Sequence, residues 1–410
     1  MKIKLITLAS LALVCFLGGG CAHSLDFDNR LSSIVEPYSF SIVEWESRAI
    51  SREANQWLFG KDEKIDDEIH VVMEYFSSGE RIKTLESELE AINAGEGQGN
   101  PTSIEAELNI LQERRIALKE MVERIIEKQV KETLVQEGIF HPIDEYIRLK
   151  VSFPPINFKL EKPPHLLVIS PREKIESMRE ITLQTNISLE EIEGIESEAD
   201  KLGVSSLVVE LGGLGATYPS LVTTDADLEF TIDTATEEWL HQYLVFKPLG
   251  FLYLLDLIGV SRNYEIATIN ETLASMVSDE IGSIVCQKYY SQYENNGARQ
   301  NQEAEAGFDF NREMREIRRA VDNYLAQGEI EQAEEFMEQK RQYLASRGYY
   351  IRKLNQAYFA FHGTYADDPT SISPIGLELK ELRSRSASLK DFLNTVAAMT
   401  SRQDLIDSIK

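Results

Sequence analysis

The stretch that most constrains this chain is Thr234-Ala-Thr-Glu237-Glu238-Trp-Leu-His241-Gln-Tyr-Leu, followed by Asn270-Glu271-Thr-Leu-Ala-Ser-Met-Val-Ser-Asp279-Glu280-Ile-Gly. On a helix, residues four apart project from one face, so Glu237 and His241 stand side by side. A carboxylate and an imidazole so placed can grip one divalent ion, and a third donor must come from elsewhere. Glu271 lies thirty residues beyond His241, which leaves room for a loop before a second helix.

In the zinc motif His-Glu-x-x-His the outer residues are the ligands and the inner Glu reaches the water that the metal activates. Here the pentapeptide is Glu-Glu-x-x-His, so Glu237 and His241 hold the ligand positions and Glu238 that of the general base. A structural alternative is also complete. Thr234 and Glu237 have the spacing of a capping box, and two acids in a first helical turn suit the helix dipole. A single histidine on a helix fits a core or surface position as well as ligation.

With 410 residues and a hydrophobic fraction of 43%, the chain can bury a sizeable core. Its net charge of −26 favours solubility and excludes nucleic acid as a partner, because no basic patch offsets repulsion from phosphates. The N-terminus reads as a targeting segment: Lys2 and Lys4, an apolar run from Leu5 to Leu17, then Gly18-Gly19-Gly20-Cys21. This resembles a bacterial lipoprotein signal, with Cys21 as the lipidated first residue of the mature chain. Gly18 departs from it, standing where a Leu is usual. The alternative, an uncleaved anchor helix, is disfavoured because the apolar run is short for a bilayer span. Beyond that segment only Cys286 remains, so no intrachain disulfide forms in the processed chain, and Cys286 is expected to be buried in a helix.

In chain order, residues 22–40 read as a tether and Ser41–Leu58 as a first helix. Helical patterns from Asp66 to Ala94 and Ser103 to Gln136, parted by Gly95-Glu-Gly97-Gln-Gly99-Asn-Pro101, predict a long hairpin. Leu85, Leu89 and Ile92 should face Leu108, Leu111, Ile116 and Leu118. The hairpin serves either as a partner-binding arm or as a solvated pair packed on the body. Five prolines between 139 and 165 mark a linker. Strands are expected at His165–Ser170, Glu180–Thr185, Ser205–Leu211 and Ala216–Val222, with a helix from Ser188 to Leu202 capped by Ser188 and Glu191. Gly212-Gly-Leu-Gly215 lacks nucleotide-binding spacing and suits close backbone approach, to a strand or to an extended peptide on a sheet edge. Leu228–Ile232 leads into a motif helix from Thr234 to about Phe246. An apolar segment, Phe251–Val260, precedes the second motif helix, Tyr264–Tyr290. After a break at 295–303 a long charged helix runs to about Arg347, and Leu389–Ala398 forms an amphipathic helix.

The stretch from about Gly212 to Tyr290 resembles a group of bacterial zinc-peptidase-like proteins whose motif reads His-Glu-Trp-x-His-His ahead of an Asn-Glu-Thr-x-Ala-Ser helix. The tail around Asn355-Gln-Ala-Tyr and from Tyr365 to Phe392 is similar to the C-terminal part of bacterial predicted aminopeptidases. Together these cover roughly half the chain and leave out the hairpin and linker. The resemblance implies a zincin-like core, Glu238 as general base, zinc bound by His241 and Glu271, and Glu237 in the first ligand position. Replacing an imidazole there by a carboxylate puts extra negative charge on the ion and weakens its Lewis acidity.

The expectation is a mainly helical α+β protein. Its parts are a signal peptide (1–21), a tether (22–40), an N-terminal region with the hairpin (41–138), a Pro-rich linker (139–165), a zincin-like core (166–295) and a helical C-terminal region (296–410). The function implied is that of a lipid-anchored, extracytoplasmic zinc peptidase homologue hydrolysing peptide bonds in peptide or protein substrates. Tyr218 or Tyr365 would steady the oxyanion, each otherwise a core residue. The alternatives are a catalytically impaired pseudopeptidase that binds peptides or acts as a scaffold, and a purely structural envelope lipoprotein.

Overall fold

The computed structural model describes residues 22–42, 45, 67–95, 97, 99–140, 155–292 and 308–410. The signal segment with Cys21, the helix expected over 41–58 apart from Ser41, Ile42 and Trp45, most of the Pro-rich linker and the break at 295–303 lie outside the described residues. The described chain is a mainly helical α+β fold.

Residues 22–40 are not a free tether. They form α1 (Ala22–Val35) and a short 3₁₀ turn, Glu36–Tyr38. Leu31 and Val35 are buried against Leu167, Leu183 and Ile195. The Phe40 N–H donates to the Thr182 carbonyl and the Gln184 N–H to the Tyr38 carbonyl, fastening the segment to a sheet edge. The spaced Leu31 and Val35 suffice for this, since two buried aliphatic side chains are worth about 1.5–3 kcal/mol each.

The hairpin forms as expected, from α2 (Glu68–Asn93) and α3 (Pro101–Gln136), with Asn100 as N-cap and Pro101 in the first turn. Its tip is held by Ile82, Leu85 and Leu108 with Leu89, Ile104 and Leu111. Ile116 departs from the expected register and is 74% exposed. Toward the base, Val72, Val122, Ile126 and Val130 enter the main core. Gly79 leaves the room that the Arg115 guanidinium occupies over the Tyr75 ring.

Two small sheets follow. β2 (His165–Pro171) lies between β3 (Arg179–Leu183) and β4 (Val204–Glu210), all antiparallel. Between β3 and β4 runs α4 (Leu189–Asp200), closed at its start by the Ser188–Glu191 capping box. The second sheet has the order β1 (Phe158–Leu160), β6 (Ser220–Val222), β5 (Gly213–Leu214), with β1 parallel and β5 antiparallel to β6. The strand expected over Ala216–Val222 is therefore shorter, because the chain turns back on itself to pair Gly213 with Val222. The outer edge of β1 is sealed: the Phe158 and Leu160 N–H groups donate to the Glu127 and Glu123 carboxylates of α3.

The motif segments become α5 (Leu228–Leu244) and α7 (Tyr264–Val285), joined through α6 (Pro248–Leu257); a π-helical turn, Cys286–Tyr290, continues α7. Cys286 is half-buried against the core rather than fully enclosed. The long charged helix is two helices, α8 (Phe310–Ala326) and α9 (Ile330–Ser346), because Gly328 takes φ +77° and turns the chain. The tail adds α10 (Gln356–His362), α11 (Pro374–Arg385), α12 (Leu389–Ala397) and α13 (Arg402–Ser408). One core joins the hairpin base, α5, α7 and the last helices through Ile126, Trp239, Leu273 and Phe392. The hairpin and the C-terminal helices thus share the packing that positions the motif. Among the described residues no helix is long and apolar enough to cross a membrane.

Candidate metal centre

Helix α5 begins six residues earlier than its motif suggests. Asp227 is the N-cap, its carboxylate accepting the Phe230 N–H at 2.8 Å. Thr234 is buried inside the helix, so it is not a cap, and Glu237 lies in the third turn, beyond the reach of the N-terminal dipole. The capping alternative for Glu237 is removed.

Helix α7, capped by Asn263, packs along α5 and faces it with Asn270 and Glu271, both buried. One donor atom each from Glu237, His241 and Glu271 falls within 4.8 Å of the others. His241 Nε2 is 3.5 Å from Glu271 Oε2. Tetrahedral zinc with bonds near 2.0–2.2 Å needs its donors roughly 3.4 Å apart, so the histidine–Glu271 spacing already suits it. The His241 side chain keeps 17% of its surface accessible.

The protonation behaviour follows from this crowding. Burial lifts Glu237 well above the usual carboxylate range, and Glu238, Glu271 and Asp367 add to it. Its Oε1 is buried with no hydrogen-bond partner, which is costly for a carboxylate unless a proton or cation meets it. Burial would lower His241, but the Glu271 carboxylate, with Glu238 and Glu237, carries it up to about 10. Glu271 experiences the reverse: burial opposes ionisation, yet His241 and the Tyr253 and Tyr365 hydroxyls hold it below its usual range. The donor set of two carboxylates and one imidazole fits a divalent cation, zinc included.

His241 is oriented from behind. Its Nδ1–H donates to the Asn270 Oδ1 at 3.0 Å, leaving Nε2 toward the carboxylates. Glu238 projects to the other side, against β5. Its carboxylate accepts the Gly215 N–H, and burial raises it to about 7, Glu271 adding to the rise while His241 and Gly215 oppose it. A Cβ at Gly213 would overlap Glu238 Oε1, and one at Gly215 would lie 2.6 Å from Oε2. The glycines thus permit close backbone approach, but to the Glu238 carboxylate.

Two tyrosines close the site. Tyr253 of α6, within the segment read only as apolar, donates its hydroxyl to Glu271 Oε1. Of the two tyrosines singled out in the sequence, Tyr365 reaches Glu271, whereas Tyr218 stays half-buried on the β5–β6 connection. The loop carrying Tyr365 is held by α7: the Ala366 N–H donates to Thr272 Oγ1 at 2.9 Å and Ser275 Oγ to Asp367 Oδ2 at 2.8 Å. Thr272 and Ser275, one and four residues past Glu271, were the signal in the sequence that something docks there. Cys21 lies outside the described residues. Compared with known families, curated proteins and solved structures, the chain matches none of them.

Proposed function

We propose that this protein is a membrane-anchored, extracytoplasmic zinc-dependent peptidase homologue with a zincin-like core formed by β5, β6, α5 and α7. The observation that carries the reading is the convergence of Glu237, His241 and Glu271 donors within 4.8 Å on helices α5 and α7. Bound by those three residues, a zinc ion would supply Lewis acidity toward a carbonyl and lower the pKa of water.

The chain's own residues account for the rest. Glu238, with its carboxylate poised near neutrality, takes a proton from water and returns it to the leaving amine. Asn270 fixes the imidazole. The Tyr365 and Tyr253 hydroxyls hold Glu271, and Tyr365 would steady the oxyanion. β5 offers main-chain groups to an extended peptide. A cleft of about 770 Å³ lies between the hairpin and Gly212, lined by Phe76, Arg115, His165 and Phe230 and apart from the three donors.

The second reading is a pseudopeptidase of the same fold that binds peptides without cleaving them. The unpartnered Glu237 carboxylate favours it, because an anion in the first ligand position reduces the acidity of the metal. Elemental analysis of the full chain purified without chelators, against His241→Ala, separates the two. The peptidase reading expects about one zinc per chain, lost in the variant, and peptide cleavage abolished by Glu238→Gln with zinc retained. Zinc without cleavage leaves the pseudopeptidase, and no zinc in either sample rejects the metal centre.

A further inference from the structure

The cleft between the hairpin and the ends of both sheets encloses about 770 Å³, a size that suits a small ligand. Two cations border it, one from each helix of the hairpin. Lys83 of α2 donates from Nζ to the Asp225 carbonyl at 2.5 Å, and Arg115 of α3 donates from Nη2 to the Thr224 carbonyl at 2.6 Å. Their partners are consecutive residues, so the two charges are neighbours. Gly79 borders the same cleft and, lacking a side chain, gives the guanidinium its room.

These cations differ from their neighbours in having carbonyls rather than carboxylates as partners. Arg81 and Arg114, close to them on the same two helices, are paired with Glu107 and Glu74. Among the described residues Lys83 and Arg115 form no ion pair, in a chain with 68 acidic side chains against 42 basic ones. Both keep N–H donors to spare, and Arg115 Nε is buried without a partner. The acids of the cleft do not neutralise them. Glu210 is 3.1 Å from Lys162 Nζ and 3.6 Å from His165 Nε2, Asp227 caps α5, and Glu80 and Asp225 are exposed. Like charges held side by side repel until an anion joins them. The wall beside them is apolar: Phe76 and Pro163 are buried there, and Phe230 of α5 is 45% exposed with its ring against Gly212.

We infer that this cleft is a peptide-binding site separate from the metal centre, holding a C-terminal carboxylate between Lys83 and Arg115 and the apolar side chain of the last residue against Phe230. The apolar wall beside the cations selects an anion that carries an apolar group close to its charge, as the last residue of a peptide does and inorganic phosphate does not. The exposed Glu80 and Asp225 favour neutral or basic residues ahead of it. The inference goes beyond the metal-dependent reading and does not rest on it.

The test is calorimetric titration of the full chain with N-acetyl-Ala-Ala-Phe, which ends in a carboxylate, against the same peptide as its C-terminal amide. The acid should bind about tenfold more tightly than the amide. Lys83 is exposed, so Lys83→Met leaves the fold intact; it should abolish the preference without changing the amide, and Lys83→Arg, which keeps the charge, should retain it. Equal binding of acid and amide, or binding of neither, would overturn the inference. Displacement of the acid by a similar concentration of inorganic phosphate would show a general anion site and overturn the peptide assignment. A preference that survives Lys83→Met and vanishes in His241→Ala would place the carboxylate at the metal centre and also overturn it. A preference that persists in zinc-free protein and in His241→Ala, and is lost in Lys83→Met, would uphold the site even where the metal reading fails.

Discussion

His241 Nδ1 lies 3.0 Å from Asn270 Oδ1, so the residue preceding Glu271 fixes the imidazole that faces the Glu271 carboxylate. The two motif helices are coupled at adjacent positions, one supplying a donor and the other a brace. Asn270→Ala frees the ring to rotate and should weaken zinc binding by about 10–100-fold, as loss of such partners does elsewhere. A competition titration against a zinc chelator measures it; unchanged affinity would mean that Asn270 serves packing alone.

Glu237→His places a neutral donor four residues before His241. We expect zinc affinity to rise on the order of tenfold, about 1.4 kcal/mol, because the buried unpartnered carboxylate is removed along with its charge. Should affinity fall in the same titration, Glu237 is a real ligand whose charge the site requires.

Gly213→Ala places a methyl group where Glu238 Oε1 now lies. The carboxylate must shift, and a displacement near 1 Å costs about 100-fold in turnover. Zinc content should change little, since the three donors lie elsewhere, while the melting temperature falls because the same methyl meets the buried Thr234 side chain. Full activity in this variant would remove Glu238 as the base.

The pH dependence has a definite sign. In zinc-free protein Glu237 is held well above its usual pKa, Glu238 is raised to about 7 and His241 to about 10. In each case the folded chain keeps protons that the unfolded chain has released, so stability falls as pH rises from the carboxylate range toward 10. Glu271, held low, acts oppositely, and only in acid. Zinc replaces those protons, so its stabilising effect should grow with pH. Melting curves with and without zinc at pH 5.5 and 8 test this, and a zinc-induced gain that is equal or smaller at pH 8 contradicts it.

Much of the local structure was legible in the residues themselves. Ser188 and Glu191 cap α4 by a hydrogen bond between neighbours. The break from Gly95 to Pro101 divides the hairpin, and the four-residue spacing of Glu237 and His241 sets them on one face. These follow from backbone geometry within a turn or two. The start of α5 was less visible, because Asp227 and Thr234 are both good caps and only packing chooses the earlier one.

What the tertiary structure alone decided is which distant groups meet. Glu271 reaches His241, Tyr253 and Tyr365 reach Glu271, and β5 presses on Glu238 because one apolar core locks α5, α7 and the tail together. Hydrophobic burial is non-directional, so an apolar pattern states that a face is buried without naming its partner. Tyr253 reads in the sequence as one more apolar residue of α6; its hydroxyl acquires a role only when packing turns it toward a carboxylate. The segment before β2 shows the same limit, since Leu31 and Val35 fold α1 onto the body only because the sheet offers them a place to bury.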